Sequence, residues 1–264
     1  MQGSPNIYLR QICLVARELE PVLDGLTRLL ELRPCYTDPG VAEFGLHNVL
    51  LPVGTNFLEI VAPVKKNTAA GRYLDRRKGD GGYMVICQVA TKKEQDLVLQ
   101  NAQKAEVRVA WQSNNEEFHC MQLHPRDMGG AFFEVDWDVQ SDFSGSWHPA
   151  GGAGWQEDHH TSSVLRVTAV GIQSEQPQKL ASHWSAVSGI SLAPDSSEFV
   201  LPFANAHLKF FATKDNRGAG LAEVDIEVKN IKRVLKKATK SEFVSGDNYV
   251  YIGGVRFNLS QAAN

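Results

Sequence analysis

No stretch of this 264-residue chain is apolar for long enough to span a bilayer, so a helical membrane protein is not expected. The opening residues, MQGSPNIYLRQ, lack a basic segment followed by an apolar one, so no secretory leader is read there and the expected location is the cytoplasm. A net charge of −3 offers no basic surface for nucleic acid or an acidic membrane. Cysteine is scarce, with Cys13, Cys35, Cys87 and Cys120 alone and no C-x-x-C pair. They read as small buried residues in a reducing compartment rather than as a disulfide frame or a zinc site. There is no G-x-G-x-x-G after a strand, no P-loop and no G-x-S-x-G, which leaves nucleotide-cofactor and serine-hydrolase readings without support.

What is present is a pair of glutamates inside greasy strands. In NFLEIVAP, alternation puts Phe57, Glu59 and Val61 on one face; in AFFEVDWD it puts Phe132, Glu134 and Asp136 on one face. A carboxylate buried there unpaired would cost several kcal/mol, so each must be protonated, paired, bound to metal or facing a wet cavity.

These strands end two similar units. IYLRQICLVA predicts a strand and ELEPVLDGLTRLLEL a helix, with apolar residues at helical spacing; VAEFGL, NVLLPV and FLEIVAP predict three strands. After a short helix, AAGRYLDRR, the order repeats: strand GYMVICQVA, helix KKEQDLVLQNAQKA, strands VRVAWQ, EFHCMQL and AFFEVDW. SDFSGSWHPAGGAGWQEDHHT breaks the rhythm and predicts a linker whose tryptophans, Trp147 and Trp155, pack on something. Two shorter units follow, VLRVTAVGI to AHLKFFAT and GLAEVDIEV to VRFNL, with EFVS read as a further short strand. The expected fold is α+β, four βαβββ modules in two domains, 5–138 and 161–261, joined by the linker 139–160.

This layout, with QICLVARELE, FLEIV and FFEVDW at the module boundaries, resembles the vicinal oxygen chelate superfamily of glyoxalases, bleomycin-resistance proteins and extradiol dioxygenases, and in particular its glyoxalase-like domain proteins. The resemblance implies open, cup-shaped mixed sheets with a divalent metal ion in the N-terminal cup and none in the C-terminal domain. It puts Gln11, Glu59 and Glu134 at metal-ligand positions and Met84 where a histidine is usual. Three oxygen ligands with waters suit a hard octahedral ion. It further implies Glu59 and Glu134 as the catalytic carboxylates, an apolar lining of Phe57, Ile86 and Phe132, and pairing into a homodimer as one use of the sheet edges.

Further candidates come from the residues. In LHPRDMGG, His124 and Arg126 could bind an anionic group at the cup rim, or the segment could be a structural turn. His47 could line the cup, or be a satisfied polar residue at a strand edge. His119 fits a cavity wall, and His159-His160 a solvated pair. The leading expectation is a lyase or isomerase acting on a small carbonyl or hydroxy-carbonyl compound, with the metal or the carboxylate pair moving a proton. The alternatives are a non-catalytic small-molecule binder of the same superfamily and a ring-cleaving dioxygenase; the latter lacks its histidine pair.

Overall fold

The computed structural model describes residues 4–157, 163–194 and 198–262. His159-His160 lies outside the described residues. Strands β1 (Ile7–Val15), β2 (Leu46–Val53), β3 (Asn56–Pro63), β4 (Gly81–Val89), β5 (Val109–Asn114), β6 (Phe118–Leu123) and β7 (Phe132–Asp138) form one mixed sheet, ordered β2-β3-β1-β4-β7-β6-β5. Strands β8 (Val164–Ser174), β9 (Phe199–Pro202), β10 (His207–Ala212), β11 (Gly220–Val228), β12 (Tyr249–Ile252) and β13 (Val255–Gln261) form a second, ordered β12-β13-β11-β8-β10-β9. The helices are α1 (Leu19–Leu30), α2 (Ala69–Arg77), α3 (Lys92–Lys104), α4 (Pro125–Met128), α5 (Pro177–Ser188) and α6 (Ile231–Ala238). The fold is α+β with two open mixed sheets, as the module pattern predicts. Among the described residues no helix is long and apolar enough to cross a membrane.

The second module, β4-α3-β5-β6-β7, has the full βαβββ complement, and its last strand runs parallel beside its first. In the first module the expected strand VAEFGL is instead a 3-10 helix, Pro39–Phe44. Pro39 at its start supplies a fixed φ, the Asp38 carboxylate accepts from Gly40 N, and Gly45 closes it at φ 71°. What remains of a third strand there is a single bridge between Tyr36 and Leu50. EFVS likewise reduces to a bridge, Ser245 to Val250.

Local chemistry sets the element ends. Thr91 and Glu94 form a reciprocal capping box at the start of α3. Pro177 opens α5 and Gly189, at φ 75°, closes it. The β2–β3 turn depends on Gly54, which has φ 61° and packs so closely that a Cβ there would lie 2.6 Å from the Leu165 carbonyl oxygen.

By packing, the chain divides into two compact units. One comprises residues up to Gln11, Met84–Ser144 and Ala169–Leu221; the other comprises Ile12–Tyr83, Gly145–Thr168 and residues from Ala222 onward. In the first, Phe133 of β7 meets Trp184 of α5 at 5.0 Å between ring centroids, and the Trp184 indole N–H donates to the Met128 carbonyl at 2.9 Å. In the second, the apolar stripe of α1 (Leu19, Val22, Leu26, Leu29, Leu30) is buried. Trp147 and Trp155 are buried there too, and Trp155 sits edge-on to Phe57 at 5.0 Å.

Candidate functional site

The sheet pairing around β7 assembles the site. Parallel register sets Met84 beside Phe132, Ile86 beside Glu134 and Gln88 beside Asp136. On the other edge of β7, Gln122 of β6 stands opposite Glu134. Alternation then puts Phe132, Glu134, Asp136 and Asp138 on one face with Met84, Ile86, Gln88, Cys120 and Gln122. The opposite face carries Phe133 and Val135, both fully buried.

Glu134 and Asp136 are both buried, and with Cys120 they bring three potential ligand atoms within 4.8 Å of one another. This is the one group of three or more His, Cys, Asp or Glu side chains with such spacing among the described residues; Glu59 is not part of it. Asp136 is fully buried, and neither of its oxygens receives a well-formed hydrogen bond from a described residue. Burial, then the neighbouring Glu134 charge, push its carboxyl well above the usual range. The Cys120 thiol is pushed up by burial and then by Asp136 and Glu134; the Cys87 thiol is raised for the same reasons. Farther along the same face, Gln88 Nε2 donates to Asp138 at 2.6 Å and its carbonyl accepts from Arg10, which also donates to the Asp142 carbonyl at 2.8 Å. Burial lowers the Arg10 pKa to about 10, against the pull of Asp138 and Asp142.

The other expected site residues are placed as follows. Gln11 is buried on β1. Met84 is 8% exposed, Ile86 is buried, and Phe132 is partly exposed beside them. Glu59 is buried on β3, where Asn48 Nδ2 donates to its Oε1 at 2.7 Å; Asn48 Oδ1 accepts from Asp38 N at 2.9 Å. Phe57 is buried against Trp155, and His47 is exposed on β2. LHPRDMGG forms the one-turn helix α4, with His124 Nδ1 accepting from Arg126 N at 3.3 Å. Arg126 is exposed. Arg108 grips Asp127 through two hydrogen bonds of 2.7 and 2.8 Å and lowers its pKa to about 2. Burial, then Arg108, lowers the His124 pKa. A cavity of about 580 Å³ is lined by Asp127, Met128, Lys179, Leu180 and His183 among others; neither Glu134 nor any other expected site residue lines it.

Cys120 and Asp136 are the residues that sequence reasoning did not assign to the site. Asp136 shares the Glu134 face by simple alternation. Cys120 joins them only through the β6–β7 register, which places it across from Asp136.

No protein-family model matches the sequence, and no curated protein matches it. Solved structures do match. The Mn(II)-bound glyoxalase from Novosphingobium aromaticivorans aligns with a TM-score of 0.69 at 11% identity, over 98% of this chain and 83% of that one. A mutant 4-hydroxymandelate synthase from Streptomyces coelicolor aligns at 0.67 and 9% identity, over 98% and 93%. A hypothetical protein from Staphylococcus aureus aligns at 0.64 and 11%, over 97% and 100%. At such identities the likeness is one of fold, and that fold is the one shared by the vicinal oxygen chelate superfamily.

Proposed function

We propose that this chain is a glyoxalase-like lyase or isomerase that moves a proton beside the carbonyl of a small carbonyl or hydroxy-carbonyl compound. The observation that carries this reading is the buried Glu134 carboxyl, set with two further ionisable groups on the sheet face that also carries Met84, Ile86 and Phe132. Supporting it is the fold shared with a Mn(II)-bound glyoxalase. Glu134 takes or returns the proton, and the three apolar side chains hold the substrate body against the sheet. A divalent ion bound at these carboxylates would supply Lewis-acid polarisation of a substrate oxygen.

The experiment is solvent-deuterium incorporation, followed by NMR, across a panel of small 2-oxoaldehydes and hydroxy-ketones. Exchange by the wild type that falls at least 100-fold in Glu134→Gln supports the reading. A panel that binds without exchange would instead support the second reading, a non-catalytic binder, which is favoured by Met84 standing where related enzymes would place a histidine.

A further inference from the structure

We propose that Cys120, Glu134 and Asp136 together are the ligand set of a thiophilic divalent ion of the zinc type, with one position left open to substrate. This deepens the reading above and rests on it for the identity of the functional face.

Three features of the structure converge. The first is spacing. The three ligand atoms lie within 4.8 Å of one another, whereas ligands around a tetrahedral zinc are about 3.5 Å apart. Side-chain rotation closing the gap by about an ångström would seat an ion. The second is the state of Asp136, a fully buried acid whose two oxygens have no well-formed hydrogen-bond donor among the described residues. The groups that act most strongly on it are Glu134, the Cys120 thiol and the Met121 amide, none of them a cation. Arg10 donates to Gln88 and to the Asp142 carbonyl. A buried acid facing an acid and a thiol is compensated by a proton or by a bound cation.

The third is the donor chemistry. Three oxygen ligands would favour a hard ion, but a thiolate in the set shifts the preference toward zinc, cobalt or iron(II) and away from magnesium and calcium. Three protein ligands also leave a fourth position free, as catalytic rather than structural zinc sites do. The set uses the Glu134 position that the superfamily resemblance implies. The other two ligands come from the neighbouring β6–β7 pairing, so Met84 need not coordinate.

The test is cobalt(II) binding to metal-free protein, read by the near-ultraviolet thiolate-to-cobalt charge-transfer band. The wild type and Glu59→Gln should show the band; Cys120→Ser should lose it, and Asp136→Asn should bind at least tenfold more weakly. X-ray absorption at the zinc edge of the wild type needs no variant and should show one sulfur at about 2.3 Å. Cobalt bound without the band, with binding lost in Glu59→Gln, would overturn this ligand set while leaving a metal-assisted function standing. Absence of cobalt and zinc binding, with deuterium exchange intact, would overturn it and leave a metal-free acid–base reaction at Glu134. A sulfur-ligated ion without any exchange would uphold the site and remove the proposed function instead.

Discussion

Trp184→Phe tests how the β7 face is held in place. The indole is fully buried between Phe133 of β7 and Phe210 of β10, and its N–H donates to the Met128 carbonyl at the end of α4, just before β7 begins. Phenylalanine removes that donor and leaves a buried carbonyl unsatisfied, a penalty of about 1–3 kcal/mol. The smaller ring adds a residual cavity of about 40 Å³, worth roughly 1 kcal/mol at about 24 cal/mol per Å³. The contacts with Phe133 and Phe210 survive in part, so the expected loss is about 2–4 kcal/mol. Trp184→Ala, which also removes the aromatic contacts, should exceed the usual 3–5 kcal/mol of a buried tryptophan truncation. The assay is urea unfolding with the midpoint compared at constant slope. Trp137→Phe, on the same strand but half-buried and edge-on to the His119 ring, is the control and should cost under about 1 kcal/mol. A Trp184→Phe loss no larger than the control would refute the view that this hydrogen bond and packing anchor β7.

Three further outcomes are expected. Gly25→Ala in α1 would gain about 1 kcal/mol of helix propensity, but its new Cβ would lie 2.8 Å from Ile252 and Phe243 side-chain atoms. Overpacking of about 1–3 kcal/mol therefore wins, and the melting temperature should fall by a few degrees, where a rise would show that the neighbours yield easily. Because Arg108 holds the folded Asp127 pKa at about 2, below its ordinary value, that pair's stabilisation is full above about pH 4 and is lost as pH falls toward 2. Arg108→Ala should therefore lower the urea midpoint at pH 7 by a small amount typical of a partly exposed pair, and the gap from wild type should close in acid; a gap constant with pH would contradict the assignment. Cys13, Cys87 and Cys120 are buried and Cys35 is partly exposed, so a thiol reagent should titrate one thiol quickly in the native protein and the other three only on unfolding.

Much of the fold could be read from periodicity because the strands and helices concerned bury one regular face: α1 shows its leucines at helical spacing, and β7 alternates Phe133 and Val135 against Glu134 and Asp136. The reading failed where a single residue changed the local geometry. VAEFGL has the apolar content of a strand, but Pro39 and the Asp38 cap turn it into a 3-10 helix. LHPRDMGG reads as a turn and becomes one helical turn capped by His124. The site was legible in half. Glu134 stands out as a charge in an apolar strand. Its relation to Cys120 depends on the register between β6 and β7, a non-local pairing that no local pattern specifies. A cysteine in an apolar strand reads as core until its cross-strand neighbour is known.

The most direct test of the account is the metal content, by mass spectrometry, of protein purified without a metal-affinity column, alongside Glu134→Gln. Near-stoichiometric divalent metal in the wild type and its loss in the variant is the predicted result. Metal-free wild type, or a variant that retains the same ion, would contradict the claim that the Glu134 face holds one.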